Sequence, residues 1–158
     1  GEQLLAATGY GQYEVSAFSQ QGYRCRHNSN YWSFGDYVGI GAGAHGKISF
    51  LDGHIERYAK RRQPEEYMSA APGNFVASTR TLEKAEIVGE FMMNALRQND
   101  GFTLQEFVSR TGLDRAQLEP RLESLCQREL LVSEGDVVRA SETGRRFLDS
   151  VVAEFFPD

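Results

Sequence analysis

The chain has 158 residues, 41% hydrophobic and 25% charged, an ordinary globular composition that can bury one core or two small ones. Lys and Arg number 17 against 22 Asp and Glu, a formal charge of −5, which argues against nucleic acid or anionic lipid as the main partner. No run approaches the roughly eighteen apolar residues of a membrane span, and Cys25 and Cys126 stand far apart. With no charged-then-apolar leader either, a reducing cytoplasm is expected rather than a secreted disulfide scaffold.

Residues 1 to about 64 are rich in Gly, aromatics and short alternating runs, which favours strands and loops. Strands are expected at 13–18, 37–40 and 47–51, with Asp52-Gly53 turning the chain into a partner strand at 54–58. From Pro64 the pattern becomes helical, with Pro64-Glu65-Glu66 as a helix start. Residues 82–98 read as the strongest helix, since Ile87, Phe91, Met92 and Leu96 recur at helical spacing. Further helices are expected at 103–111, ended by Gly112, and at 114–129, where Pro120 demands a late start or a kink. Residues 130–140 read as a hairpin turning at Glu134-Gly135-Asp136. A closing helix at 142–156 would bury Phe147, Leu148, Val151 and Phe155.

That layout, helix, helix, two-stranded wing, helix, is a winged-helix outline. DNA binding does not follow from it. From Gly101 onward there are 7 Arg and no Lys against 11 Asp and Glu, a local net of −4. The segment that would enter the groove carries Asp114, Glu119, Glu123 and Glu129, which phosphates would repel.

The chemistry concentrates in residues 24–46, RCRHNSNYWSFGDYVGIGAGAHG. His27 offers a neutral imidazole, a good ligand for heme iron, and Tyr31 and Trp32 are rings that can stack on a porphyrin. The plain alternative is a hydrogen-bonded loop in which these residues only pack. For Arg24 and Arg26 two readings stay open: forks for porphyrin propionates, or ordinary exposed arginines. Gly41-Ala42-Gly43-Ala44-His45-Gly46 matches Gly-x-Gly-x-x-Gly, but strand-like residues follow where a dinucleotide fingerprint would open a helix. His45 reads as a loop hydrogen-bonder and His54 as an exposed turn residue. Met92 and Met93 read as core packing rather than iron ligands.

His27-Asn28-x-x-Tyr31-Trp32, followed by Gly39-x-Gly41-Ala42-Gly43-Ala44-His45, resembles the oxygen-independent coproporphyrinogen III oxidase-like radical SAM family, in its heme chaperone HemW branch. Tyr10-Gly11-x-Tyr13-Glu14-Val15-Ser16-x-Phe18 and Phe91-Met92-Met93-Asn94-x-Leu96-Arg97 with Gly101-Phe102 resemble the same family, so the likeness covers almost the whole chain. It implies an α+β fold: residues 1–64 as the last strands and rim loop of a radical SAM partial barrel, and 65–158 as a helical, winged-helix-like C-terminal domain. It also implies heme as ligand, held by His27, Asn28, Tyr31 and Trp32, with His27 on the iron. Gly41, Gly43 and Ala44 would lie at the rim of the S-adenosylmethionine pocket.

The family's Cys-x-x-x-Cys-x-x-Cys motif for a [4Fe–4S] cluster is not in this sequence. Cluster and S-adenosylmethionine are therefore expected only in a longer parent, and this chain alone carries no catalytic residue. The resemblance implies a carrier that delivers heme to respiratory and other heme proteins. The alternatives are part of a coproporphyrinogen oxidase of porphyrin biosynthesis, or a non-catalytic interaction module. Strands cut from a barrel would expose an edge, so self-association is also expected.

Overall fold

A computed structural model describes residues 1–157 and shows an α+β chain built on antiparallel sheets. It divides into two compact units: Gly1–Phe34 together with the segment from Lys84 onward, and Gly35–Glu83. The expected division near residue 64 falls inside the second of these.

The first unit opens with a short helix, α1 (Glu2–Ala7), and a hairpin of β1 (Gly11–Glu14) and β2 (Ala17–Ser19). Gly11 pairs with Ser19 and Gln12 with Phe18. Sequence alternation predicts one strand at 13–18; the chain instead reverses at Val15-Ser16. The Glu14 carboxylate closes that reversal, accepting from the Ser16 backbone N–H at 2.9 Å and the Ser16 hydroxyl at 2.8 Å. Next comes α2 (Arg26–Trp32), where a loop is expected from sequence.

The second unit is a three-stranded sheet of β3 (His45–Ser49), β4 (Ile55–Lys60) and β5 (Val76–Thr81) in the order β3-β4-β5, with α3 (Pro64–Ser69) between the last two. The β3–β4 hairpin turns at Asp52-Gly53 as expected, and Pro64 is at the start of α3. The strand expected at 37–40 shrinks to a single bridge between Tyr37 and Lys47. β5 lies in a region read from sequence as helical; its β-branched Val-Ala-Ser-Thr-Arg-Thr run was the available signal. Gly46 lets the Tyr58 ring lie against the backbone of β3: a Cβ there would stand 2.1 Å from the ring and force it to move. Lys47 is almost fully buried and reaches Asp36 at 2.8 Å, while Asp36 also accepts from the Ser49 backbone N–H and hydroxyl. Partial burial pushes the Asp36 carboxyl up, yet the Lys47 and Ser49 hydrogen bonds outweigh it and hold the group below its ordinary 3.8.

The chain then returns to the first unit. α4 (Lys84–Ala95) buries Ile87, Val88, Phe91, Met92 and Ala95. It is followed by β6 (Phe102–Thr103) and α5 (Leu104–Thr111). Thr103 caps α5 reciprocally: the Glu106 N–H donates to its hydroxyl at 3.0 Å, and its own N–H donates to the Glu106 carboxylate at 2.7 Å. Gly112 ends α5 at φ 70°, the left-handed conformation that glycine adopts without strain.

Sequence predicts one helix at 114–129, broken by Pro120. The break is there: a 3-10 turn over Arg115–Leu118, capped by Asp114, precedes α6 (Arg121–Gln127). β7 (Leu131–Glu134) and β8 (Val137–Ala140) form the expected hairpin, and β6 joins it in the order β6-β8-β7. The closing helix is split into α7 (Glu142–Arg146) and α8 (Leu148–Ala153). Phe147 sits at the split with φ −117° and ψ 31°, so its ring turns outward and is 59% exposed instead of buried. Val151 and Phe155 are buried as expected.

Phe91 is the centre of this core. Its ring meets Phe34, Phe102 and Phe107 edge-on at 5.8, 5.0 and 5.1 Å between centroids. Phe34 itself lies just past α2 at φ 56°, a left-handed conformation normally left to glycine. Burial of its ring to 1% exposure against Phe91 offsets that strain and fixes where α2 ends.

Candidate functional site

The segment Arg-His-Asn-Ser-Asn-Tyr-Trp has poor intrinsic helix propensity, and no side chain caps its N-terminus. Tertiary contacts hold it helical. Helical spacing puts His27 and Tyr31 one turn apart on one face, and Asn28 and Trp32 one turn apart on the next. His27 is exposed, while Asn28, Tyr31 and Trp32 are half-buried. Among the described residues the imidazole makes no hydrogen bond or ion pair, so its nitrogens are free to bind. Tyr31 meets Trp32 edge-on at 5.0 Å.

Trp32 is the anchor of α2. The Arg97 guanidinium lies over its ring at 4.5 Å, and the Gln98 amide donates to its carbonyl at 3.5 Å. Arg97 in turn reaches the Glu14 carboxylate at 3.4 Å, and its own carbonyl accepts from the Val15 N–H at 3.1 Å. Glu14 is only 2% exposed, so this is a buried charge with one cationic partner and two Ser16 hydrogen bonds. Trp32 Nε1 and Arg97 Nε in this node, and Asn99 Oδ1 beside β1, are buried side-chain atoms without a hydrogen-bond partner. Arg97 and Gln98 escaped the sequence reading of the site. They lie more than sixty residues from Trp32, and no local pattern signals such a contact.

In the second unit, Gly41 and Gly43 have φ values of 104° and 70°. The Gly43 N–H donates to the Arg61 carbonyl at 2.8 Å, and the Ala44 carbonyl accepts from the Lys60 N–H at 2.8 Å. This turn leads into β3 and not into a helix, so it lacks the helix N-terminus on which a dinucleotide pyrophosphate rests. A depression of about 420 Å³ lies against α2, lined by Gly22, Arg24, Arg26 and Ser29. A second, of about 700 Å³, borders the glycine turn at Ala42, Gly43, His45, Lys60 and Arg62. The four heme candidates thus share one helix in the first unit, whereas Gly41, Gly43 and Ala44 belong to the second.

The remaining candidates fall out plainly. Met92 is fully buried, and Met93 is 40% exposed on the same helix. His54 stacks on Phe50 at 4.2 Å and shares a hydrogen bond with Asp52. Among the described residues no group of three or more His, Cys, Asp or Glu converges to hold a metal ion.

Residues 82–147, which run from just before α4 to just past α7, match the HemN C-terminal domain. Over all 158 residues the chain is 41% identical to the heme chaperone HemW of Escherichia coli K12 and 36% identical to that of Haemophilus influenzae. The chain is thus similar along its whole length to HemW heme chaperones, and over residues 82–147 to the HemN C-terminal domain. A more distant relative is the mouse mitochondrial radical S-adenosyl methionine domain-containing protein 1, 30% identical over 99% of this chain. The fold agrees: the structure of coproporphyrinogen III oxidase HemN of Escherichia coli superposes on 97% of this chain with a TM-score of 0.62, at 13% identity. The chain spans about two fifths of the length of the curated HemW relatives and 38% of the HemN structure.

Proposed function

We propose that this chain is the heme-binding portion of a HemW-type heme chaperone, with His27 as the iron ligand. The observation that carries the reading is the exposed, unpartnered imidazole of His27 on a helix held by Trp32, within a chain 41% identical throughout to a protein described as a heme chaperone. The residues fit the group: a neutral imidazole is a standard donor to heme iron, and Tyr31 one turn away offers a ring beside it. Heme, if bound here, would be held through its iron by the His27 imidazole.

Every other part of the site positions. Arg97 covers Trp32 and fixes the rotation of α2, Gln98 holds its last carbonyl, and Asn28 lies on the inner side. A carrier needs a ligand presented near solvent, because a fully enclosed heme would leave too slowly to be passed on. The S-adenosylmethionine, the [4Fe–4S] cluster and the barrel are assigned to the longer parent. Residues 1–64 are its adjoining strands and rim, with Gly41, Gly43 and Ala44 near that cofactor, and residues 65–158 its winged-helix-like cover. A cytoplasmic setting and acceptors among respiratory heme proteins complete the proposal. The free β5 edge, exposed along its whole length, supports self-association of the isolated chain.

The HemN superposition favours one rival, a parent that acts as a coproporphyrinogen oxidase. Loading the chain with hemin and mixing it with apomyoglobin tests the carrier reading. The Soret band is expected to move to that of holomyoglobin within minutes. A chain that takes up no hemin, or never releases it, contradicts a carrier. Formation of 5′-deoxyadenosine with vinyl product by the reconstituted parent would favour the oxidase.

A further inference from the structure

We propose that Arg24 and Arg26 form the subsite for the propionate carboxylates of the tetrapyrrole, an inference that rests on the heme reading above. Both line the 420 Å³ depression beside α2, together with Gly22 and Ser29. Arg26 directly precedes His27 in the first turn of α2, so the depression and that imidazole lie at the same end of one helix. Among the described residues Arg26 makes no ion pair or hydrogen bond. Arg24 pairs with Asp100 at 2.6 Å, but that pair is open to solvent at 49% and 68% exposure. Such a pair contributes about 0–1 kcal/mol, so exchanging the Asp100 carboxylate for a propionate costs little.

The surrounding charge points the same way. Residues 15–35 contain no Asp or Glu, in a chain with 22 of them, and carry Arg24, Arg26 and His27. The acid on this patch, Asp100, comes from far along the chain. A patch with two arginines and a histidine beside the Asp100 carboxylate, on an anionic protein, favours a small anionic group, and a planar guanidinium suits a carboxylate in particular. Tyr23, 78% exposed at the patch, adds apolar area next to these cations.

Metal-free protoporphyrin IX separates this subsite from iron ligation, because it has no axial bond for His27 to make. Its binding to the 158-residue chain, followed by porphyrin fluorescence, is compared with that of its dimethyl ester, which lacks both charges. The diacid should bind about tenfold more tightly than the ester, the sum of two exposed charge pairs. Arg24→Gln with Arg26→Gln should abolish that preference, and rising salt should shrink it. Asp100→Asn frees Arg24 and should strengthen diacid binding while leaving the ester unchanged, an outcome no unfolded variant could produce.

Equal binding of diacid and ester by the unaltered chain, no binding of the diacid, or an unchanged preference in the double variant overturns the proposal. If hemin ligation still depends on His27 in that case, the heme reading stands and only the propionate subsite falls.

Discussion

Phe91→Ala should lower the unfolding free energy of the first unit by about 3–5 kcal/mol, the usual cost of deleting a fully buried aromatic. Its ring is 1% exposed and meets Phe34, Phe102 and Phe107 at once. The loss therefore reaches from α4 to the end of α2 within that unit. Phe34 keeps its left-handed backbone because Phe91 receives its ring, and without that contact the end of α2 loses its anchor. Urea unfolding followed by circular dichroism gives the stability, and hemin affinity of the folded fraction should fall with it. A loss below about 1 kcal/mol would mean that the aromatic cluster does not organise this unit.

The second large effect is expected at Arg97. Arg97→Met keeps an apolar stem over Trp32 but removes the one cation facing Glu14, which stays 2% exposed. Stranding a buried carboxylate is strongly destabilising, here about 3 kcal/mol. Adding Glu14→Gln should recover much of the loss, since the amide oxygen can still accept from Ser16 while the buried charge is gone. Trp32 is the only tryptophan, so its emission reports this node without labels. Arg97→Met should change that emission in the folded protein. Unchanged emission and stability would show that α2 is held by something other than the Glu14–Arg97–Trp32 stack.

Much of the fold could be read from local chemistry. Thr103 with Glu106, Gly112, Asp114, Pro120 and Asp52-Gly53 each act through their own backbone or a near neighbour, and the structure places helix ends and turns at all of them. What could not be read depends on distant partners. Residues 26–32 look unhelical because the stabilising groups, Arg97, Gln98 and Phe91, are supplied from beyond the second unit. The hairpin at 11–19 depends on Glu14 turning back onto Ser16, while alternation alone suggests a continuous strand. Phe147 has the spacing of a core residue, but the helix breaks at that residue.

The candidate site divides in the same way. Its residues stand out by type, His27, Tyr31, Trp32 and the two arginines in one short run. Its form does not, since presentation of His27 at one turn from Tyr31 follows only once the run is helical.

Hemin titration of the chain and its His27→Ala variant, read side by side, tests the central claim most directly. A saturable Soret shift with quenching of Trp32 emission is expected for the chain, and loss of both at the same hemin concentrations for the variant. The exposed position of His27 makes the replacement harmless to folding, so the urea midpoint should not move. An identical Soret shift in the two proteins, or none in either, would contradict the assignment of His27 as the heme ligand.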